Sequence, residues 1–169
     1  MHALYVVSVY LHILAAITWI GGMFFLVLVV VPWLRRGDRQ KGAAFLRETG
    51  AQFRNVGWIC FGILLVTGTF QLYVRGVGLT DFVRPEWLGS SFGRMVILKL
   101  GVFALVLSSS VIHDFFLGPR ATIAVEKDPR SPEAERFRKH ASRLGRLNVV
   151  FALVLVALGV MLVRGWPFG

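Results

Sequence analysis

Four long apolar runs divide the chain, and the stretches between them are dense in Arg and Lys. The first runs from about Leu4 to Trp33 and contains no charged residue. The second covers about Val56 to Val74, the third about Phe92 to Leu117 and the fourth about Leu147 to Val163. A bilayer core of about 30 Å needs about 20 apolar residues in a helix, so each run is long enough to cross. The apolar residues follow one another directly, without the alternation of a barrel strand. In lipid the backbone must close its own hydrogen bonds, which leaves helices. The pattern predicts an all-α, integral membrane four-helix bundle, organised as one transmembrane domain over residues 1–169.

The first run lacks a basic leader and a small-residue cleavage site, and at about 30 residues it is too long for a signal peptide. A retained helix, tilted or projecting beyond the hydrocarbon, is expected. Pro32 is expected near its end, and Gly118-Pro119 is expected to close the third run. Ser131-Pro132-Glu133 reads as a helix start, with Ser131 as cap and Pro132 in the first position. That helix is expected to reach Ser142 and to run on toward the fourth span. Trp33, Trp58, Trp87 and Trp166 fall where interfacial belts belong, whereas Trp19 lies well inside the first span.

Charge adds a direction. Arg35, Arg36, Arg39, Lys41, Arg47 and Arg54 separate the first two spans. Arg120, Lys127, Arg130, Arg136, Arg138, Lys139, Arg143 and Arg146 separate the last two. The middle loop holds only Arg75, Arg84 and Arg94, and residues 1–11 hold no Lys or Arg. The positive-inside rule then puts the two basic loops in the cytoplasm of a bacterial-type inner membrane, with both termini outside. The net charge of +10 is thus explained by topology. The expected partner of the basic loops is the anionic headgroup layer, not nucleic acid. A redox partner or a second copy of the chain stays open.

Composition agrees. Hydrophobic residues make up 56% and charged residues 17% of the 169 positions, which is no ordinary soluble domain. The single cysteine, Cys60, supports neither a disulfide framework nor a CxxC metal site. Walker A, GxGxxG, HExxH and nucleophile-elbow motifs are absent.

Candidate chemistry rests on ionisable residues inside the spans, which are costly there and so point to function. His12 lies about 12 Å inward from the outer start of the first span, and Lys99 about 10 Å inward along the third. Thr67 and Gln71 of the second span lie within about two turns of the same outer end. These four side chains are expected to converge. His113 lies near the cytoplasmic end of the third span, level with Asn55 and Asn148. It stands about 40° around the helix from Lys99, so Lys99, Ser109, Ser110 and His113 form a polar stripe. Plainer readings stand beside these. Lys99 can snorkel to the interface, His113 beside Asp114 can be an ordinary interfacial histidine, and His12 can be a neutral histidine bonded to a hydroxyl or carbonyl.

Two ligands suit such a site. Haem b takes an axial imidazole from a bundle helix. His12 would supply it, with Ser8, Ala15, Ala16 and Trp19 on its face and Lys99 as propionate partner or second ligand. His113 would serve an inner site. The second ligand is a copper ion, held by His12 or His113 with thioether help from Met23 or Met95. A third reading is a structural subunit with no ligand.

The run LHILAAITWIGGMFFLVLVVVPW, Leu11 to Trp33, resembles the first helix of CopD-like membrane domains. VILKLGVFALVLSSSVIHDFFLGPR, VTGTFQLYVRG and RLNVVFALVLVALGVMLVRG resemble later helices of that group. Copper-resistance D proteins imply copper uptake. HemJ-type protoporphyrinogen oxidases, similar four-helix proteins, imply haem b, redox or electron-transfer chemistry, and a functional pair that falls on His12 and Lys99. HemJ-like chains carry an arginine late in the first helix, where this chain reads LVLVVVPW. The resemblance therefore carries the cofactor further than it carries the oxidase reaction.

Overall fold

The computed structural model describes residues 1–37 and 39–165, with only the backbone described at 35, 39–41 and 43. In chain order the elements are α1 (His2–Phe25), a π-helical segment (Leu26–Val30), α2 (Val31–Arg36), α3 (Arg39–Val74), a 3₁₀ turn (Leu79–Val83) and α4 (Pro85–Gly89). There follow α5 (Ser91–Val111), a second π segment (Ile112–Leu117), α6 (Gly118–Lys127) and α7 (Pro132–Arg164). No strand occurs among the described residues. Four continuous helical stretches are apolar and long enough to cross a bilayer: His2–Leu34, Ala44–Val74, Ser91–Lys127 and Pro132–Arg164.

The helices outrun the apolar segments that predict them. α3 begins at Arg39 and α7 at Pro132, well before the expected span starts at 56 and 147. Arg, Lys, Gln, Glu and Ala are good helix formers, so the polar flanks extend the helix where hydropathy alone gives no signal. Ser131 caps α7 by accepting a hydrogen bond from the Ala134 amide at 3.1 Å, as the Ser-Pro-Glu motif implies. Gly118-Pro119 does not close the third helix. The chain continues through the π segment into α6. The same arrangement precedes Pro32. A proline cannot bond the carbonyl four residues back. Those carbonyls, of Leu28 and Phe115, both fall inside π turns, whose wider i→i+5 spacing absorbs the defect without ending the helix. At the other end α3 does stop. Gly76, at φ +80°, lets the Val77 amide reach the Leu72 carbonyl and the Gly76 amide reach that of Tyr73.

α1 packs chiefly on α3, α5 on α7, and α6 on both α7 and α3. The core is narrow. It joins Ala15, Trp19 and Met23 to Cys60, Phe61, Val106 and Ala152. Trp19 meets Phe61 edge-on at 4.9 Å, and Phe61 meets Phe103 at 6.1 Å, which ties α1, α3 and α5 together. Large apolar side chains such as Leu28, Val66, Leu105 and Val150 remain exposed. In water such a surface would aggregate, whereas lipid chains solvate it. Trp166, expected in a belt, lies outside the described residues, as do the side chains of Arg35, Arg39 and Lys41.

Candidate functional site: a polar level between α1, α3 and α5

His12, in the middle of the apolar α1, turns its ring toward α3. Its Nδ1 lies 2.8 Å from the hydroxyl of Thr67. The direction of that bond follows from the other contacts of the hydroxyl. Thr67 Oγ1 lies 2.6 Å from the Ile63 carbonyl, one turn back, and a carbonyl can only accept. A hydroxyl has one hydrogen. With that hydrogen given to Ile63, the Thr67 oxygen accepts and His12 Nδ1 donates. The neutral ring is then the Nδ1–H tautomer, and its Nε2 keeps a free lone pair. No hydrogen bond engages Nε2 among the described residues. Ser8, one turn earlier on α1, is buried and donates to the Thr67 carbonyl at 3.4 Å.

Lys99 approaches from α5. It forms no hydrogen bond or ion pair with the described residues, yet its charge acts on the His12 ring. Arg75, at the end of α3, acts in turn on Lys99. Gln71, one turn beyond Thr67, leaves its Nε2 buried and unbonded among the described residues. Of the expected four groups, His12 and Thr67 are hydrogen-bonded to each other, whereas Lys99 has no bonded partner among the described residues. Gln71 shares the helix face of Thr67 without a partner.

Trp19 is placed differently from the expectation of a cofactor neighbour. It is 4% exposed and locked in the aromatic core, with its ring beside Gly57. Met23 is in that core as well. Eleven residues separate it from His12, about 16 Å along the helix, so one ion cannot touch both.

His113 belongs to a second level, at the basic end. Its Nδ1 pairs with Asp114 at 2.9 Å, and its ring is about one-third exposed. Between the two levels, Ser109 and Ser110 of α5 are buried against Asn148 of α7. Ser109 donates to the Asn148 carbonyl oxygen, and the Asn148 amide donates to Ser110 at 3.2 Å. The polar stripe on α5 therefore faces α7. Asn55 is exposed and joins neither level.

One feature escaped the reading of the sequence. Three intramembrane ionisable side chains each lie over a glycine of a neighbouring helix: His12 over Gly68, Lys99 over Gly159 and His113 over Gly145. A β-carbon at Gly68 or Gly159 would stand 3.5 Å from the ring or the ammonium. Small residues make the space in which a bulky polar group lies between helices. Each glycine is visible in the sequence, but its partner is not, because the pairing depends on inter-helix register.

Residues 47–162 match the model of a family described as copper resistance protein D. The chain belongs to that family. An uncharacterized protein of Aquifex aeolicus (strain VF5) is 34% identical to it over 158 residues, 93% of this chain and 94% of that protein. No solved structure matches it. As a copper resistance protein D family member with four apolar helices, the chain is a multi-pass membrane protein. The matched stretch includes Thr67, Gln71, Lys99 and His113 and begins after His12.

A porphyrin at His12 would need a slot at Nε2, whereas two open concavities of about 430 and 400 Å³ lie at the far, basic end of the bundle. A single ion needs no slot. The described residues hold no group of three or more His, Cys, Asp and Glu that would form a conventional closed metal centre.

Proposed function

We propose that this chain is a copper-resistance-type membrane protein that passes a copper ion through a transient site at His12. The observation that carries the reading is the lone pair on His12 Nε2. Thr67 holds the ring by its other nitrogen, as outer-shell partners do for metal-binding imidazoles. Family membership supplies the metal. Met95, buried on α5 one turn from Lys99, is the soft donor proposed to complete the site. The copper is cargo in this reading. The Lys99 ammonium repels a bound cation, and a site with few ligands and a like charge beside it releases what it takes. Insertion in a bacterial-type inner membrane, with the basic loops cytoplasmic and the His12 end outward, follows from the charge distribution.

The test is copper retention by the purified chain in detergent after loading with cuprous ion. His12→Ala is expected to abolish retention, and Lys99→Met to strengthen it. Retention unchanged by His12→Ala would sink the proposal.

Haem b remains the second reading, favoured by one observation: an ammonium beside an imidazole suits a propionate beside an axial ligand. It makes the opposite prediction for Lys99→Met, namely weaker binding, and it requires a Soret band.

A further inference from the structure

We infer that the basic end of α7 and the adjoining π segment Ile112–Leu117 form a binding site for one anionic phospholipid. Two concavities meet there. The first, about 430 Å³, has an apolar wall of Ile112, Leu117, Leu144 and Leu147, with His140 and Arg143 at its mouth. The second, about 400 Å³, shares His140 and Arg143 and adds Arg136, Lys139 and the carboxylate of Glu135. Together they make a shallow, open apolar trough beside a cationic shelf.

The shelf is built by helix periodicity. Positions 136, 139, 140 and 143 follow the three-and-four spacing of one helix face. Lys139 is held at 2.7 Å by Glu135, both well exposed, a pairing worth little in solvent and readily exchanged for a phosphate. No ion pair engages Arg136 or Arg143 among the described residues.

Depth selects a lipid over a soluble anion. The apolar run of α7 begins at Leu147. At 1.5 Å per residue, Arg143 stands about 6 Å beyond that point and Lys139 about 12 Å. A headgroup layer is about 5–8 Å thick on each side. The Arg143 backbone therefore sits at phosphate level, His140 and Lys139 lie about 10–12 Å out beyond that layer, Arg136 about 16 Å out must reach back with its long side chain, and the trough descends into the hydrocarbon. A headgroup with a net negative charge gains from this shelf, at a strength that grows with each nearby Lys or Arg. A zwitterionic headgroup carries its own ammonium and gains far less.

The experiment is native mass spectrometry of the delipidated full chain in detergent. Phosphatidylglycerol and phosphatidylcholine of identical acyl chains are titrated in parallel. A preference of about tenfold for phosphatidylglycerol is expected. The double variant Arg136→Gln/Arg143→Gln is expected to reduce that preference to about twofold, while Arg94→Gln, at the opposite end, leaves it intact. Leu117→Ser/Leu144→Ser is expected to weaken both lipids alike. Equal binding of the two lipids, an undiminished preference in the double arginine variant, or an equal loss in Arg94→Gln would overturn the proposal. Complete displacement of the lipid by excess inorganic phosphate would do the same, since the trough would then contribute nothing.

Discussion

The His12 level and the serine–asparagine cluster deeper in the bundle are built on opposite rules. At the level of Ser109, Ser110 and Asn148 every group is neutral and the contacts are mutual, helix to helix. At the level of His12 and Lys99 polar capacity is left unspent among the described residues: a free Nε2, an ammonium without a bonded partner, and an orphan amide at Gln71. A satisfied network in a low-dielectric interior fastens helices together. An unsatisfied one is costly in the same place, and a ligand offsets that cost. The contrast separates polar residues that hold the bundle from those that act. Val106 and Ala152, both fully buried, lie between the levels and insulate one from the other.

The sharpest way to break this contrast is at His12. Its replacement by Ala should remove copper retention altogether while helix content by circular dichroism stays unchanged. A parallel loss of helix would make His12 a fastener after all. Thr67→Val, which removes the hydroxyl that orients the ring, should lower copper affinity by about 10–100-fold, read by competition with a chromogenic chelator. A core test comes next. Any β-carbon at Gly22 would overlap the Phe53 ring, so Gly22→Ala should destabilise by about 1–3 kcal/mol in detergent unfolding, with partial rescue by Phe53→Leu. Asn148→Leu should cost about 1 kcal/mol and leave copper retention alone, because membrane hydrogen bonds are individually modest. Smallest of all is Gly68→Ala. Its new methyl would make an ordinary contact with His12, so copper affinity is expected to change by less than about twofold. A larger change would show that the ring needs to move.

Much of this was legible beforehand. The four spans follow from apolar run length, and the N-cap of α7 from Ser131-Pro132-Glu133. The shared depth of His12, Thr67 and Lys99 follows from helical rise, counted from the ends of the runs. What lay hidden depended on register or on local backbone repair. Trp19 reads as a cofactor neighbour along α1, but Phe61 comes around from α3 to enclose it. The glycine beneath each of His12, Lys99 and His113 comes from another helix, up to sixty residues away in sequence. Gly118-Pro119 reads as a stop, because nothing in its composition announces the π turn that carries the helix through.

The two π turns that precede the prolines also set the rotational phase of what lies beyond them. A π turn holds one more residue than the α-helix would use, and one residue is worth about 100° of rotation. Removing a single residue from Ile112–Leu117 would restore regular winding and swing α6 by about that angle. Glu126, which now meets Arg47 of α3 at 3.1 Å, would then point elsewhere. A flexible bis-maleimide cross-linker between Arg47→Cys and Glu126→Cys should bridge the intact chain and fail in the shortened one. In this sense the basic end is aimed by a one-residue surplus in the helix that leads to it.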